Sequence, residues 1–199
     1  LDRAAAAMLI MQIDEGGPEA AAAVVAICEG WGATECYATD DPDEGEQFVE
    51  ARRAALPAFE KLGSLLLEDV GVPVSMLGEL VLGVEAIASR HDVIVSVAAH
   101  AGDGNTHPLV VIDRDDALQQ RRAHAAYDEV MALAMHLGGT ISGEHGVGRL
   151  KAPWLEQSLG RDAYELNLRI KAALDPQGLL NPGAKFVGAS GSSASEGIE

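Results

Sequence analysis

Positive charge, aromatic residues and cysteine are all scarce in this sequence of 199 residues. Lysine and arginine number 14 against 31 aspartate and glutamate residues, so the formal net charge of −17 makes binding to a nucleic-acid backbone unfavourable. No apolar run is long enough to cross a bilayer, and no basic, apolar leader opens the chain. The cysteines, Cys28 and Cys36, form no metal or redox spacing and are typical of small core residues in a reducing compartment.

Two motifs for common chemistries are also missing. The sequence has neither a glycine-rich phosphate loop nor the His-Glu-x-x-His pattern of zinc proteases. Hydrophobic residues make up 48% of the chain, which is enough for one large globular domain. We predict that this domain covers residues 1–187 and that the Gly/Ser-rich tail, residues 188–199, is disordered.

The order of the predicted elements favours an α+β fold. Short apolar runs predict strands at residues 8–13, 34–39, 65–67, 93–99, 109–112 and 140–142. Helical spacing predicts helices at residues 18–29, from about 40 through Pro57, from Ser75 as N-cap, at 113–137 and after 151. Because hairpins alternate with crossovers, we predict a largely antiparallel sheet with helices packed on one face.

The most informative stretch runs from His100 to His107 and reads His-Ala-Gly-Asp-Gly-Asn-Thr-His. It joins two predicted strands, and its glycines allow the backbone to turn sharply. Asp103 is best interpreted as a turn-forming residue. A histidine at each end of such a connection can hold a metal ion, with a third ligand from elsewhere. The alternative is that both histidines are simply hydrated at the end of a hairpin.

A second candidate segment is Gly143-Glu144-His145-Gly146. Its glycines let a cofactor or substrate approach the backbone closely. Neighbouring residues of a regular strand face opposite sides, so we predict that one of Glu144 and His145 binds metal while the other faces a reacting group. A polar surface loop is the alternative.

Arg52 is a candidate clamp for a substrate carboxylate. It leans further toward the apolar face of its predicted helix than Arg53 does, and its guanidinium can form two parallel hydrogen bonds to a carboxylate. Exposed arginines without such a role are the commoner case.

Three stretches carry motifs: His100 to Pro108, Gly138 to Arg149 and Leu174 to Gly183. In the same order, they resemble signatures of the FAD-linked 2-hydroxy-acid dehydrogenases of the glycolate oxidase and D-lactate dehydrogenase type, and the segment Ala51 to Pro57 extends the likeness. The resemblance implies a ferredoxin-like C-terminal domain that binds substrate. It also implies that most FAD contacts come from an N-terminal FAD-binding domain absent from this chain, which we expect to be part of a longer protein.

The resemblance also implies a role for particular residues. His100, His107 and Glu144 match metal ligands, and zinc, manganese and iron all suit two imidazoles and a carboxylate. His145 matches the base that takes the hydroxyl proton of the substrate. Arg52 matches the arginine that holds the substrate carboxylate.

Other matching positions concern the flavin and the substrate. Asn105 and Asn181 lie in motifs that face the flavin in the family. Leu67 stands near the position where relatives acting on dicarboxylic hydroxy acids carry a lysine. That departure favours a monocarboxylic substrate such as D-lactate or glycolate.

The expected function is therefore hydride transfer from a 2-hydroxy acid to FAD, carried out by the longer protein and not by this chain alone. The expected partners are the small substrate and the FAD domain, with an iron-sulfur or other electron-acceptor subunit as a candidate. We expect a cytoplasmic location and leave open attachment to a membrane through a partner. Two alternatives stay open: a metal-dependent hydrolase, which would act without flavin, and a non-catalytic metal-binding module, whose metal would have no open position.

Overall fold

The computed structural model describes residues 5–186, and the chain divides into two compact units. The first unit, Leu1–Lys61, holds the helices α1 (Gly17–Gly30), α2 (Pro42–Arg53) and α3 (Ala55–Glu60). Helix α2 begins at Pro42 because the side chain of Asp41 accepts hydrogen bonds from the next free amides, and proline needs no partner at the first position. The helix predicted from about residue 40 through Pro57 is two helices, because α2 ends at Arg53 and α3 begins at Ala55.

Two strands predicted in this unit are wrong. Residues 8–13 and 34–39 form neither strand nor helix. Large apolar side chains of these segments, such as Met8 and Tyr37, are exposed. A short apolar run becomes a strand only where a neighbouring strand pairs with it and one of its faces is covered. Among residues 5–61 no strand pairing is present.

The second unit, Leu62–Glu199, is built around one central strand. Strand β4 (Asn105–Ile112) pairs along one edge with β3 (Val95–His100) and along the other with β1 (Ser64–Leu67) and then β2 (Val70–Gly71). All these pairings are antiparallel. The predicted α+β class with an antiparallel sheet is confirmed.

Two long helices cover the sheet and supply most of the core. Helices α4 (Leu77–His91) and α5 (Ala117–His136) pack against each other, α4 contacts β3, and α5 contacts β4 and β2. Their buried side chains recur at helical spacing and meet the strands: Leu80, Val84, Ile87, Ala126, Tyr127, Val130, Met131 and Ala134. Within residues 5–186, every helix is too short or too polar to span a membrane.

The remaining elements of this unit precede α4 or follow α5. They are 3₁₀ turns at Val74–Met76 and Ala152–Trp154 and the helices α6 (Leu155–Leu159) and α7 (Arg161–Leu174). The prediction that Ser75 caps α4 is wrong, because Ser75 lies inside the first 3₁₀ turn and α4 starts at Leu77 without a side-chain cap. The predicted tail, residues 188–199, lies outside the described residues.

The strand predicted at residues 140–142 is reduced to a single bridge. Thr140 and Gly71 exchange backbone hydrogen bonds of 2.8 and 3.0 Å. From Gly143 to Gly146 the backbone amides donate hydrogen bonds to the side chains of Asp69 and Ser142 instead of to a neighbouring strand. Pairing therefore stops just before the segment that contains Glu144.

Candidate functional site

The two histidines of the first motif lie on one face of the β3–β4 hairpin. His107 is directly opposite Ala98 in the register, and His100 follows Ala98 by two residues, so all three point to the same side of the sheet. The imidazole rings of His100 and His107 are 5.3 Å apart between centroids and nearly perpendicular. The connecting loop is shorter than predicted, because His107 is already the third residue of β4.

The tight loop depends on Gly104. Its φ of 81° lies in the left-handed region, and a Cβ at this position would overlap the carbonyl oxygen of Val72. The Gly104 carbonyl accepts a 3.0 Å hydrogen bond from the amide of Val72, so hairpin and β2 are tied together. Asp103 accepts a 2.8 Å hydrogen bond from the amide of Asn105, which confirms its interpretation as a turn-forming residue.

Glu144 meets both histidines, although it lies far from them in the sequence. Its Oε1 is 3.0 Å from Nε2 of His107 and 3.9 Å from Nε2 of His100. Ligand atoms about 2.1 Å from a tetrahedral zinc ion lie about 3.4 Å from one another. The observed separations bracket that value, so the three side chains fit a divalent cation. His100 and Glu144 are exposed while His107 is half-buried, which leaves one side open to a substrate.

The protonation of His107 also suits a metal ligand. Burial lowers the pKa of His107, the neighbouring His145 lowers it further, and the Glu144 carboxylate opposes both effects. A neutral imidazole is the form that binds metal. The Nδ1 atom of His107 is buried and has no hydrogen-bond partner among residues 5–186.

His145 is the fourth side chain at this position. Its ring stacks on that of His107 with centroids 5.0 Å apart, and its Nε2 is 3.8 Å from Oε1 of Glu144. The alternation of Glu144 and His145 expected for a strand does not apply, because the segment is not a strand and its successive amides point to one carboxylate. Both side chains therefore reach the same site. The assignment of metal ligand to one residue and of a reacting group to the other stays a prediction.

The backbone of residues 143–145 folds around the carboxylate of Asp69, a residue that the sequence patterns did not select. Its Oδ2 accepts hydrogen bonds from the amides of Gly143 (2.5 Å), Glu144 and His145 (3.0 Å). Asp69 is fully buried. A signal for it was present in the sequence, because Glu68 and Asp69 interrupt an apolar run and a carboxylate in such a run needs buried partners.

Lys151 is the buried partner of Asp69, and it too was missed. Its ammonium donates to Oδ1 of Asp69 and, at 2.8 Å, to the Asp69 carbonyl, and it lies 3.1 Å from a carboxylate oxygen of Glu68. Burial disfavours the charged form of Asp69, but the hydrogen bonds from Lys151 and from the amides of Glu144 and His145 outweigh this effect and hold the pKa of Asp69 well below its usual range.

A second group of possible ligand atoms, Glu68, Asp69 and His145, also lies within 4.8 Å. The Lys151 ammonium contacts both carboxylates and supplies the positive charge there. A divalent ion would have to displace it. The structure therefore favours a cation site at His100, His107 and Glu144.

Comparison with known sequences identifies the family of the chain. The sequence model of the family "FAD linked oxidases, C-terminal domain" matches residues 1–184. The chain belongs to this family. The glycolate oxidase subunit GlcD of Bacillus subtilis is 38% identical over 82% of this chain and 35% of that protein. GlcD of Escherichia coli K12 is 34% identical over 76% of the chain and 31% of that protein.

A plant relative extends the comparison. The mitochondrial D-lactate dehydrogenase [cytochrome] of Arabidopsis thaliana is 34% identical over 72% of the chain and 26% of that protein. The chain thus spans about a third of the length of the curated relatives it matches. The family resemblance noted from the three motifs is confirmed.

The three residues predicted to contact flavin or substrate in this FAD-linked oxidase domain lie outside the group of His100, His107, Glu144 and His145. Asn105 lines an open cleft together with Gly143 and Glu144, and its Oδ1 is buried without a partner among the described residues. Asn181 is exposed, with a φ of 48°, in the turn that follows α7. Arg52 is exposed on α2 of the first unit. The roles of all three stay predictions.

Proposed function

We propose that this chain is the substrate- and metal-binding domain of a flavin-dependent 2-hydroxy-acid dehydrogenase of the D-lactate or glycolate type. The observation that carries the proposal is the convergence of His100, His107 and Glu144, with His145 stacked beside them. Two imidazoles and a carboxylate with an open side are the donor set of a catalytic metal site, which a purely structural site would close.

The chemistry of the proposed reaction needs a proton acceptor and a hydride acceptor. A divalent ion held by the three ligands would make the substrate hydroxyl more acidic, and FAD would supply the hydride acceptor. His145 takes the hydroxyl proton. The Asp69 carboxylate lies 3.7 Å from Nδ1 of His145 and Oε1 of Glu144 lies 3.8 Å from Nε2, so Nε2, which faces the proposed metal position, is the atom proposed to take the proton.

The substrate is proposed to be a small monocarboxylic hydroxy acid. With a net charge of −17, the protein needs a local cation to hold an anion, and Arg52 is the proposed clamp. Leu67 lies near the position where a lysine would favour a second carboxylate. The names of the relatives, a glycolate oxidase subunit and a D-lactate dehydrogenase, support the same class of substrate.

FAD is proposed to be held mainly by a further, N-terminal domain. The buried Oδ1 of Asn105 has no partner within residues 5–186, which supports a contact between this residue and the flavin, and Asn181 is the second proposed contact. Electrons are proposed to leave through an iron-sulfur or other acceptor subunit. The word cytochrome in the name of the Arabidopsis relative supports a separate electron acceptor.

Anaerobic flavin reduction tests this function. The full-length protein that contains this chain, loaded with FAD and Zn²⁺ or Mn²⁺, should lose its flavin absorbance when D-lactate or glycolate is added. His145→Gln should slow the bleaching roughly 10²–10⁴-fold, since the proton acceptor is lost. No bleaching with either acid, together with hydrolysis of esters or amides by the chain without flavin, would favour a metal-dependent hydrolase. Tight metal binding without either activity would favour a structural metal module.

A further inference from the structure

We infer that the buried Asp69–Lys151 pair positions the catalytic segment, Ser142 to Gly146, and through it sets the places of Glu144 and His145. This inference rests on the proposed metal site. It assigns a role to two residues that touch neither the proposed metal position nor the substrate.

The catalytic segment has no regular secondary structure of its own. A strand partner is lost after Thr140, so the amides of this segment need other acceptors. A single carboxylate oxygen, Oδ2 of Asp69, accepts from three successive amides, those of residues 143, 144 and 145. Ser142 Oγ closes the segment by accepting a 2.8 Å hydrogen bond from the amide of Gly146.

The charge of Asp69 is what makes this arrangement specific. Hydrogen bonds to an ionised acceptor are shorter and stronger than neutral ones. Asp69 and Lys151 are both fully buried, and the ammonium lies against the carboxylate, which offsets the cost of placing that charge in the interior. An asparagine at position 69 would keep the shape but offer a weaker acceptor and leave the ammonium without its closest partner.

The connection from Asp69 to the metal ligands is short. Asp69 holds the backbone amide of Glu144, and the Glu144 side chain places Oε1 3.0 Å from Nε2 of His107. Asp69 likewise holds the amide of His145 and lies 3.7 Å from its Nδ1. Glu144 and His145 are both exposed, so few packed side chains restrict the position of their backbone. Weakening the hydrogen bonds from residues 143–145 to Asp69 therefore moves Glu144 and His145 away from the two histidines of the hairpin.

Asp69→Asn in the purified chain is the test, with two readouts. Amide hydrogen exchange measured by NMR should show strong protection of residues 143–145 in the wild type and at least a tenfold loss of that protection in the variant. The Zn²⁺ dissociation constant should rise about 10–100-fold, the usual effect of removing a residue that orients metal ligands. Circular dichroism must show that the variant is folded at the temperature used.

Asp175→Asn is a matched control. Asp175 is also buried, also pairs with a lysine, Lys171, and also accepts two successive backbone amides, those of Leu179 and Leu180. It lies in the turn after α7 and is not one of the grouped ligand residues. Its replacement should leave both Zn²⁺ affinity and exchange at residues 143–145 unchanged.

The outcomes separate the inference from the proposed function. Unchanged Zn²⁺ affinity in folded Asp69→Asn, or exchange at residues 143–145 of the wild type as fast as in a free peptide, would overturn the inference. Amide exchange in the wild type tests the inference even if the Asp69→Asn variant does not fold. If the wild type binds Zn²⁺ but His107→Ala binds it equally well, the proposed metal site fails, while the exchange readout still decides the role of Asp69.

Discussion

Replacing Lys151 by methionine should destabilise the second unit strongly. Methionine keeps the length and apolar stem of the side chain but removes the ammonium that contacts Asp69 and Glu68. Glu68 is partly exposed and can turn toward water, whereas Asp69 is fully buried and cannot. The cost therefore arises from one uncompensated carboxylate in the interior.

The size of the effect follows from what still holds that carboxylate. Removing one partner of a buried ion pair typically costs about 3–5 kcal/mol. Asp69 keeps its hydrogen bonds from the amides of residues 143–145, so we expect the lower end, about 3 kcal/mol. For a chain of this size that corresponds to a fall in Tm of roughly 6–12 °C. Replacing Asp69 as well, in Asp69→Asn/Lys151→Met, should cost less than the sum of the single changes by about 1–3 kcal/mol.

Urea unfolding followed by tryptophan fluorescence measures this cost. Trp31, which is 89% exposed in the first unit, is replaced by phenylalanine so that Trp154 alone reports on the second unit. Arg161→Met is the control, because the Arg161–Glu165 pair is on the surface, and its free energy of unfolding should not change measurably. A loss below about 1 kcal/mol for Lys151→Met, or strictly additive costs in the double variant, would refute the reasoning.

Three other predictions concern the site and the C-terminal turn. In the flavin-loaded full-length protein, His145→Ala should lower turnover roughly 10²–10⁴-fold with metal content unchanged, whereas His100→Ala should lose metal and activity together; the reverse pattern in metal analysis would exchange their roles. Arg52→Lys should raise the KM for the hydroxy acid, since an ammonium cannot replace a bidentate guanidinium, and unchanged kinetics would leave Arg52 an ordinary surface charge. Lys171 holds the pKa of Asp175 below its usual range, so Asp175 stabilises the fold above about pH 4 and this contribution is lost as the pH falls further; Asp175→Asn should flatten the stability curve at acid pH, and an unchanged curve would contradict the assignment.

The parts of the fold that followed from the sequence are those with a long or repeated pattern. Helices α4 and α5 carry apolar residues at helical spacing, and the runs on either side of the His100–His107 motif predict a hairpin. The strands predicted at residues 8–13 and 34–39 rested on short apolar runs alone. Such a run carries no information on whether a partner strand exists, and none pairs with these residues in the described part of the first unit.

The candidate site divides in the same way. Local motifs were enough to select His100, His107, Glu144 and His145, because each motif lies within a few residues. Strand alternation could not predict that Glu144 and His145 lie at the same site. The amides of residues 143–145 donate to the Asp69 carboxylate instead of to a neighbouring strand, so the segment has no strand geometry. The Asp69–Lys151 pair spans 82 residues of sequence, a separation that no local pattern bridges.

Anomalous diffraction from crystals of the chain grown with Zn²⁺ tests the central claim most directly. Data collected on both sides of the zinc absorption edge locate the ion without any assumption about its ligands. The account predicts one strong peak about 2.0–2.2 Å from Nε2 of His100, Nε2 of His107 and a carboxylate oxygen of Glu144. Absence of that peak in fully loaded crystals, or a peak among Glu68, Asp69 and His145 with the Lys151 ammonium displaced, would contradict it.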